Sequence, residues 1–484
     1  MSPAKTYGLF IDGEDRPATG GASFPVTAPE TGNLVGHAAR GGPEDANVAA
    51  ESAARAFPGW AGMAPEGRER ALLRTAEILE RKSDTLAELI VDESGSTLAK
   101  ARHEVTYASN LLRAAAGEAR RLYGETFPND NPRRLSMVLR EPLGVVAVIS
   151  PFNSPLALHT KMVAFPLAAG NTIVTKPSEE TPLVAVELGK ALAEGGVPAG
   201  VVNVLTGYGA ECGDALIRHP KVAGIAFTGS TATGSRIGAV ATSLFKRVQL
   251  ELGGKNPLIV LADVDVDEAA AIAAHGAFYH AGQICMASAR VLVERRVARR
   301  FAEALAKKAD SLHLGDLRDP RTAYGPLIHE GSLRKVRAHV DEAVAAGAEL
   351  LAGGAVLRGL IYRPTVLWEP PRSTAVWREE TFGPVVSVAQ VEDFEEAIAV
   401  ANESDYGLSA AILTHDVRRA FTAARRLRTG SVHIGMHSFQ SNALAPIGGV
   451  GASGIGRSGG KYSVEEFTEL KWVSVELGDP PRPF

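Results

Sequence analysis

The sequence has only two cysteines in 484 residues, too few for a disulfide framework, which predicts a reducing compartment such as the cytoplasm. It lacks any run of the roughly 20 apolar residues that a membrane span needs, and its first residues lack the apolar core of a secretory signal, so we expect no membrane and no export. A net charge of −4 without a Lys/Arg block argues against nucleic-acid binding. HExxH and paired CxxC motifs are also missing, so we expect no metal.

What the sequence does contain is an α/β pattern. From about residue 144 onward, short apolar runs such as VVAVI (145–149) and NTIVTK (171–176) alternate with helical stretches. Strands without in–out alternation, each followed by a helix, predict a parallel sheet that is covered on both faces. A second α/β series begins near residue 256. Residues 133–144 and 467–478 are predicted strands without a local partner, and we expect them to form a small oligomerisation sheet.

One of the two cysteines, Cys285, lies in the segment FYHAGQICMAS (278–288). A free thiol of pKa about 8.5 is only a few per cent ionised at neutral pH, and free cysteines are often buried structural residues. Gly282, however, permits a close backbone approach and Ala287 leaves room for a ligand, so a reactive thiol is the alternative. Cys212 falls in a predicted amphipathic helix and is interpreted as structural.

Glu251 and Asn153 each follow a predicted strand, where α/β proteins place functional side chains. Glu251, in QLELGGKNP (249–257), is predicted to be either a general base or a solvated or ion-paired carboxylate. Asn153, in SPFNSP (150–155), is predicted either to donate a hydrogen bond to an oxyanion or to cap the following helix. The length of chain between Glu251 and Cys285 allows both to face one cleft.

Two further strand ends suit a dinucleotide. In FTGSTATG (227–234), glycines flank a turn into a helix whose N-terminal N–H groups suit a pyrophosphate. In TKPSEETP (175–182), Lys176 and Glu179 are placed to bind ribose hydroxyls, and the Glu179 carboxylate favours NAD by repelling the 2′-phosphate of NADP. Plain connecting loops are the alternative interpretation for both segments.

These five segments, with EETFGPV (379–385), NESDYGLSA (402–410) and PIGGVGASGIGRSGG (446–460), resemble the signatures of the NAD(P)-dependent aldehyde dehydrogenase superfamily in their order along the chain. The resemblance covers essentially the whole chain and is nearest to the benzaldehyde, salicylaldehyde and vanillin dehydrogenase group. It implies an α/β fold with a Rossmann-like NAD-binding domain (1–121 and 145–252) and an α/β catalytic domain (253–445). It also implies a small β oligomerisation sheet (122–144 and 446–484) in a homodimer or homotetramer.

The resemblance assigns a role to each matching residue. Cys285 would be the nucleophile, Glu251 the general base, and Asn153 with the Cys285 backbone N–H the oxyanion hole. NAD, with NADP possible, would be bound by Phe152, Lys176, Ser178, Glu179, Gly209, Phe227, Gly229, Ser230, Leu252, Gly253, Glu380 and Phe382. The substrate pocket would include Leu158, Lys161, Ile284, Met286, His437 and Phe439.

The implied reaction oxidises an aldehyde to a carboxylic acid through a thiohemiacetal and a thioester on Cys285, with hydride passing to the cofactor and Glu251 activating water. The C-terminal resemblance predicts an aromatic or bulky apolar aldehyde as the small-molecule partner. Lys161 stands where some aromatic-aldehyde enzymes have Arg, and is predicted either to meet a polar or acidic substituent or to be a surface lysine. A carboxylate-bearing semialdehyde is the alternative substrate. A non-redox thiol esterase and a catalytically silent binding protein are the alternative functions.

Overall fold

The structure, a computed structural model, describes residues 5–478, so residues 1–4 and 479–484 of the outer predicted segments lie outside the described residues. The helices of the described part are α1 (Pro43–Ala61), α2 (Pro65–Arg81), α3 (Ser83–Ser94), α4 (Leu98–Ala119), α5 (Ala157–Ala168), α6 (Leu183–Glu194), α7 (Asp214–Arg218), α8 (Thr231–Ser243), α9 (Val266–Phe278), α10 (Arg295–Asp310), α11 (Glu330–Ala345), α12 (Ala375–Arg378), α13 (Phe394–Asn402), α14 (Val417–Arg426) and α15 (Gly460–Glu466).

The strands are short and distributed along the whole chain. They are β1 (Thr6–Tyr7), β2 (Leu9–Ile11), β3 (Glu14–Arg16), β4 (Ser23–Thr27), β5 (Leu34–Ala39), β6 (Glu125–Phe127), β7 (Arg134–Pro142), β8 (Val145–Ile149), β9 (Thr172–Lys176), β10 (Val202–Val204), β11 (Val222–Thr228), β12 (Arg247–Glu251), β13 (Asn256–Val260), β14 (Ser288–Glu294), β15 (Glu349–Ala352), β16 (Val356–Arg358), β17 (Ile361–Tyr362), β18 (Thr365–Trp368), β19 (Val385–Val391), β20 (Tyr406–Gly407), β21 (Ser409–Leu413), β22 (Ser431–Ile434), β23 (Val450–Gly451), β24 (Gly454–Ile455) and β25 (Thr468–Glu476).

The first large sheet has eight strands in the order β24-β12-β11-β8-β9-β10-β2-β3. Its central strands β12, β11, β8, β9 and β10 run parallel. Strands β8, β9 and β10 are buried along almost their whole length, because helices cover both faces of the sheet. The carboxyl ends of the parallel strands therefore meet along one edge, where open α/β sheets bind ligands.

The second large sheet has seven strands in the order β15-β18-β19-β14-β13-β21-β22. Strand β13 lies between β14 and β21, parallel to both, and is completely buried. Cys285 lies three residues before β14, in the connection that leaves α9. The second sheet thus supplies the thiol, whereas Glu251 ends β12 of the first sheet.

The two strands predicted to lack a local partner pair with each other. Strand β25 runs antiparallel to β7 over nine residues, and β6 pairs with the other edge of β7. Other strands of the predicted bridging segment 446–484 pair elsewhere. Strand β24 joins the first large sheet beside β12, and β23 pairs with β20, so this part of the chain binds the two α/β lobes together.

Two features are absent from the part of the chain that the structure describes. No helix within residues 5–478 is long and apolar enough to cross a membrane. The same residues bring together no group of three or more His, Cys, Asp or Glu side chains that could hold a metal ion.

Candidate active site

Cys285 lies in a constrained loop. Residues 280–282, just before it, all have positive φ angles of 52 to 67°, and a Cβ on Gly282 would lie 2.1 Å from the carbonyl oxygen of Gly383. Only glycine fits so close an approach. After this turn, the side chain of Asn256 donates hydrogen bonds to the carbonyl oxygens of Cys285 and Ala287, at 2.8 and 2.9 Å. The thiol is therefore held at a fixed place, next to β13.

The two thiols have different surroundings. Cys285 is half-buried, whereas Cys212 is fully buried in the core near Ile217 and packs as a small apolar residue. Burial raises the pKa of Cys285 to about 12, and the carboxylates of Glu251 and Glu380 raise it further. Cys285 is thus a protonated thiol near two carboxylates, and its role as a reactive thiol stays a prediction, whereas the burial of Cys212 agrees with a structural thiol.

Glu251 is a buried, ion-paired carboxylate rather than a solvated one. Its side chain is about 5 % exposed, and Oε2 accepts a hydrogen bond from Lys161 Nζ at 3.0 Å. The other oxygen accepts from the side chain of Gln249 at 3.2 Å. The prediction of a surface lysine at position 161 is wrong, because the Lys161 side chain on α5 is only 2 % exposed.

Asn153 points its amide towards the loop that carries Cys285. Its Nδ2 donates a hydrogen bond to the backbone carbonyl of Gln283 at 2.8 Å. Because an amide nitrogen carries two hydrogens, a second N–H remains to donate. The alternative, that Asn153 caps α5, is wrong: the first N–H groups of α5, from Leu156 and Ala157, donate instead to Oε1 of Glu104.

The residues that hold the backbone of Asn153 and the start of α5 in place were not predicted from the sequence. Glu104 on α4 accepts a hydrogen bond from Lys100 one turn earlier, and Lys100 Nζ also donates to the backbone carbonyl of Asn153 at 2.8 Å. Both side chains are buried. The i, i+4 spacing of Lys100 and Glu104 was a visible signal, but it is equally typical of an exposed helical ion pair. Tyr107, one turn further along α4, was also missed; its hydroxyl is buried, and within residues 5–478 it has no hydrogen-bond partner.

The predicted cofactor residues lie along one edge of the first sheet. Lys176 ends β9 and donates to Glu179 at 2.7 Å, and Ser178 lies between them in the same turn. Gly209 begins the one-turn helix that follows β10. Phe227 and Gly229 lie at the end of β11, and Ser230 caps α8 by accepting from the Thr233 N–H; Leu252 and Gly253 directly follow β12. These residues end four strands of one parallel sheet beside a helix N-terminus, an arrangement that fits a dinucleotide.

Glu380 lies close to this edge. Its Oε1 accepts the Gly254 N–H at 3.1 Å, and a Cβ on Gly253 would lie 2.6 Å from its Oε2, so a side chain at position 253 would displace the Glu380 carboxylate. Phe382, two residues on, has a φ of 54° and meets the Phe152 ring edge-on with centroids 5.9 Å apart. Two aromatic residues predicted to bind the cofactor, from distant parts of the chain, thus form one wall.

A small cavity connects this wall to the thiol loop. Glu380, Phe382 and Ile284 line it together with Gly254 and Ser288. Ile284, predicted to line the substrate pocket, thus lies beside predicted cofactor residues, and its role towards the substrate stays a prediction. The residue before Cys285 therefore borders the same small space as Glu380 and Phe382.

An aromatic cluster lies on the other side of the thiol loop. It contains His275, Tyr279, His437 and Phe439, with neighbouring ring centroids 4.2 to 5.6 Å apart. The cluster is tied to the loop because Ser438 Oγ donates to the carbonyl oxygen of Met286 at 2.6 Å. Leu158 is half-buried in the first turn of α5. Burial lowers the pKa of His437 to about 4 and also lowers the pKa of His275, so this wall is uncharged at neutral pH.

The chain is similar to known proteins over nearly its whole length. The model of the aldehyde dehydrogenase family matches residues 16–473. The chain belongs to the aldehyde dehydrogenase family. It is 41 % identical to vanillin dehydrogenase of Pseudomonas fluorescens over 97 % of this chain and 98 % of that protein. It is 37 % identical to succinate-semialdehyde dehydrogenase [NADP(+)] of Escherichia coli (strain K12), over 97 % of each chain.

Solved structures agree. The NAD-dependent aldehyde dehydrogenase from Sinorhizobium meliloti superposes with a TM-score of 0.97 at 36 % identity, over 99 % of this chain and 97 % of that chain. The predicted aldehyde dehydrogenase fold is thereby confirmed. This aldehyde dehydrogenase is an NAD(P)-dependent oxidoreductase that oxidises an aldehyde. The thiol esterase and the silent binding protein are not needed to explain the site.

Proposed function

We propose that Cys285, Glu251 and Asn153 are the catalytic residues of this aldehyde dehydrogenase, and that it is hydrolytic. One observation carries the proposal. The Asn153 amide donates to the carbonyl two residues before Cys285, while the buried Glu251 carboxylate is near enough to raise the pKa of that thiol. A nucleophile, an oxyanion donor and a base thus converge from separate parts of the chain.

In the first step the Cys285 thiol gives its proton to solvent water, and its sulfur bonds to the aldehyde carbon as the C=O π bond opens, which gives the oxyanion of a thiohemiacetal. The second Asn153 N–H and the Cys285 backbone N–H stabilise the oxyanion. When bound, NAD(P)+ supplies the acceptor for the hydride that leaves this carbon, so the product on Cys285 is a thioester. Glu251 then accepts a proton from water, the water oxygen bonds to the acyl carbon, and the C–S bond breaks to release the acid.

We also propose that NAD is preferred over NADP. Lys176 and Glu179 form an ion pair at the end of β9, and the Glu179 side chain is 38 % exposed at the open side of the edge. A 2′-phosphate at this position would meet the Glu179 carboxylate, and the close cation Lys176 is already paired with that carboxylate. Ribose hydroxyls, in contrast, can donate to Glu179.

The substrate that we propose is an aromatic or bulky apolar aldehyde. The uncharged cluster of His275, Tyr279, His437 and Phe439 offers ring faces and edges beside the thiol loop. The similarity to vanillin dehydrogenase of Pseudomonas fluorescens supports the same class. A semialdehyde bearing a carboxylate is the second candidate, supported by the similarity to the Escherichia coli succinate-semialdehyde enzyme.

The test is a panel of aldehydes with NAD and with NADP, measured as kcat/KM from the absorbance at 340 nm. Benzaldehyde, vanillin and salicylaldehyde represent the first class, and succinate and glutarate semialdehydes the second. We expect the aromatic aldehydes with NAD to give the highest kcat/KM. Higher values for the semialdehydes would reject the proposed substrate, and higher values with NADP would reject the cofactor preference.

We further propose that the chain forms a homodimer or homotetramer in the cytoplasm, with the domain boundaries predicted above. The sheet formed by β6, β7 and β25 exposes large apolar side chains to solvent, among them Phe127, Leu139, Leu470 and Trp472. Exposed apolar residues on a sheet with open edges favour a second copy as the partner. Light scattering of the chain and of Trp472→Ser tests this, since the substitution should weaken the assembly.

The proposed location in the cytoplasm is supported by the two cysteines of the chain. Both are free thiols, as is usual in a reducing compartment.

A further inference from the structure

The proposed base is held in place by a cation for which the reaction scheme above has no role. Lys161 Nζ lies 3.0 Å from Glu251 Oε2, and both side chains are almost completely removed from solvent. Lys161 lies on α5, the helix that begins just after Asn153, and Glu251 is the last residue of β12. The pair therefore joins the helix behind the oxyanion donor to the strand that carries the base.

A carboxylate as deeply buried as that of Glu251 needs a positive charge beside it. An ionised side chain that is buried without a partner is strongly disfavoured and becomes neutral instead. A neutral carboxylic acid cannot accept a proton from water, so deacylation requires that Glu251 stays ionised. Lys161 is the one cation within salt-bridge distance of Glu251 among residues 5–478, and Gln249 contributes only a neutral hydrogen bond.

The same ammonium also acts on the nucleophile. Two carboxylates, Glu251 and Glu380, raise the pKa of the Cys285 thiol, and Lys161 lowers it. Loss of Lys161 would thus leave the base without its counter-ion and the thiolate without a nearby positive charge. A single side chain influences both steps of the reaction.

From this geometry we infer that Lys161 is a positioning residue that keeps Glu251 ionised and oriented, and is not a binding site for a carboxylate on the substrate. This inference rests on the proposed roles of Cys285 and Glu251. A substrate carboxylate that took Lys161 would compete with Glu251 for it, and would bring a second negative charge to the base. The pocket therefore selects aldehydes without a negative charge near the reacting end.

The other charged groups around the site support this selection. Lys100, the other buried cation close to Asn153, is already shared between Glu104 and the Asn153 carbonyl. The histidines of the aromatic cluster have lowered pKa values and carry no charge at neutral pH. Neither Lys161 nor Lys100 is therefore free to pair with a carboxylate-bearing aldehyde.

The experiment compares Lys161→Met and Lys161→Arg with the unaltered enzyme, on one neutral aromatic aldehyde and on succinate semialdehyde. Lys161→Met removes the charge while keeping much of the apolar volume. For it we expect kcat to fall by about 10²-fold for both aldehydes with KM changed less than about threefold, and thioester to accumulate in intact-protein mass spectra. The kcat of Lys161→Arg should be at least about tenfold higher than that of Lys161→Met, because arginine restores the positive charge.

Two further variants keep the test decisive. Lys221→Met, at an exposed lysine on the surface of the same lobe, should behave as the unaltered enzyme. If Lys161→Met unfolds, the double variant Lys161→Met/Glu251→Gln removes both buried charges and should recover the thermal stability, which shows that the unpaired carboxylate was the cause.

The outcomes distinguish a failure of the inference about Lys161 from a failure of the proposed role of Glu251. A rise in KM for succinate semialdehyde alone, with the aromatic aldehyde unaffected, would overturn the inference and make Lys161 a substrate-carboxylate site. A kcat of Lys161→Met equal to that of the unaltered enzyme, on both aldehydes, would overturn it as well. Full activity of Glu251→Gln would instead reject the proposed base itself, independently of Lys161.

Discussion

The side-chain amide of Asn153 donates a hydrogen bond to the backbone carbonyl of Gln283 at 2.8 Å, across 130 residues of chain. Gln283 lies two residues before Cys285, so this bond fixes the distance between the amide and the loop that carries the thiol. Gln283 is itself anchored, because its side-chain oxygen accepts from the Ile328 N–H at 3.0 Å. The oxyanion donor and the nucleophile are thereby positioned by one rigid connection, as electrostatic stabilisation of a transition state requires.

Asn153→Ala removes this connection together with the remaining N–H. We expect kcat to fall by about 10² to 10³, as loss of one oxyanion donor does in general, with a smaller change in KM. Steady-state kinetics at 340 nm measures it. The matched control is Asn33→Ala at an exposed turn, which should leave kcat unchanged. An unchanged kcat in Asn153→Ala would show that the amide only supports the loop.

The two thiols allow a comparison within one chain. Cys285→Ala should abolish aldehyde oxidation and any hydrolysis of p-nitrophenyl acetate, because both need the sulfur. Cys212→Ala should keep full kcat and lose only a little thermal stability, since Cys212 is buried in the core. Residual oxidation by Cys285→Ala above the background would remove Cys285 from the mechanism.

The pH dependence of alkylation reports the state of the thiol. Since the thiolate is the nucleophile and the pKa of Cys285 is raised to about 12, the thiolate fraction of the cofactor-free enzyme should increase about tenfold per pH unit between pH 7 and 9.5. The measurement is the rate of iodoacetamide modification in the Cys212→Ala background, followed by intact mass. A plateau near pH 8.5, as for an ordinary thiol, would contradict the burial and the carboxylate effects.

Glu251→Gln tests the deacylation step separately. Glutamine keeps an oxygen for Lys161 but does not accept a proton from water at neutral pH, so the thioester should form and then persist. We expect a burst of about one NADH per active site, followed by a steady rate at least about 10²-fold below the unaltered enzyme. Mass spectrometry should show the acyl group on Cys285, and a protein without added mass after the burst would point to another base.

Much of the architecture was predictable because it depends on local patterns. Residues 66–92 have a helical period and form α2 and α3, and the apolar runs at 145–149 and 171–176 form the buried strands β8 and β9. The strand ends then indicated where functional side chains should lie. Glu251 and Asn153 were proposed in this way, whereas Cys285 was proposed from the small residues around it, and the structure brings the three to one region.

The contacts that orient those side chains were not predictable, since they join distant residues without a local signal. Glu104 receives the first N–H groups of α5 from 52 residues away, which is why Asn153 does not serve as the cap. The burial of Lys161 depends on how α5 packs against the end of β12, and a lone lysine in a helix is most often exposed. The placement of Ile284 beside Glu380 likewise follows from tertiary packing.

The last prediction concerns the choice of cofactor. Glu179→Ala removes the carboxylate that would repel a 2′-phosphate and leaves the Lys176 ammonium, now without its partner at 2.7 Å, to attract one. We expect the ratio of kcat/KM with NADP to kcat/KM with NAD to rise by about tenfold or more, which corresponds to roughly 1.4 kcal/mol. The control Glu187→Ala, a glutamate of α6 paired with Lys5 on the surface, should leave the ratio unchanged. Because the Glu179 side chain is partly exposed, raising the salt concentration should reduce the effect, and a ratio that stays constant in Glu179→Ala would show that another residue discriminates between the two cofactors.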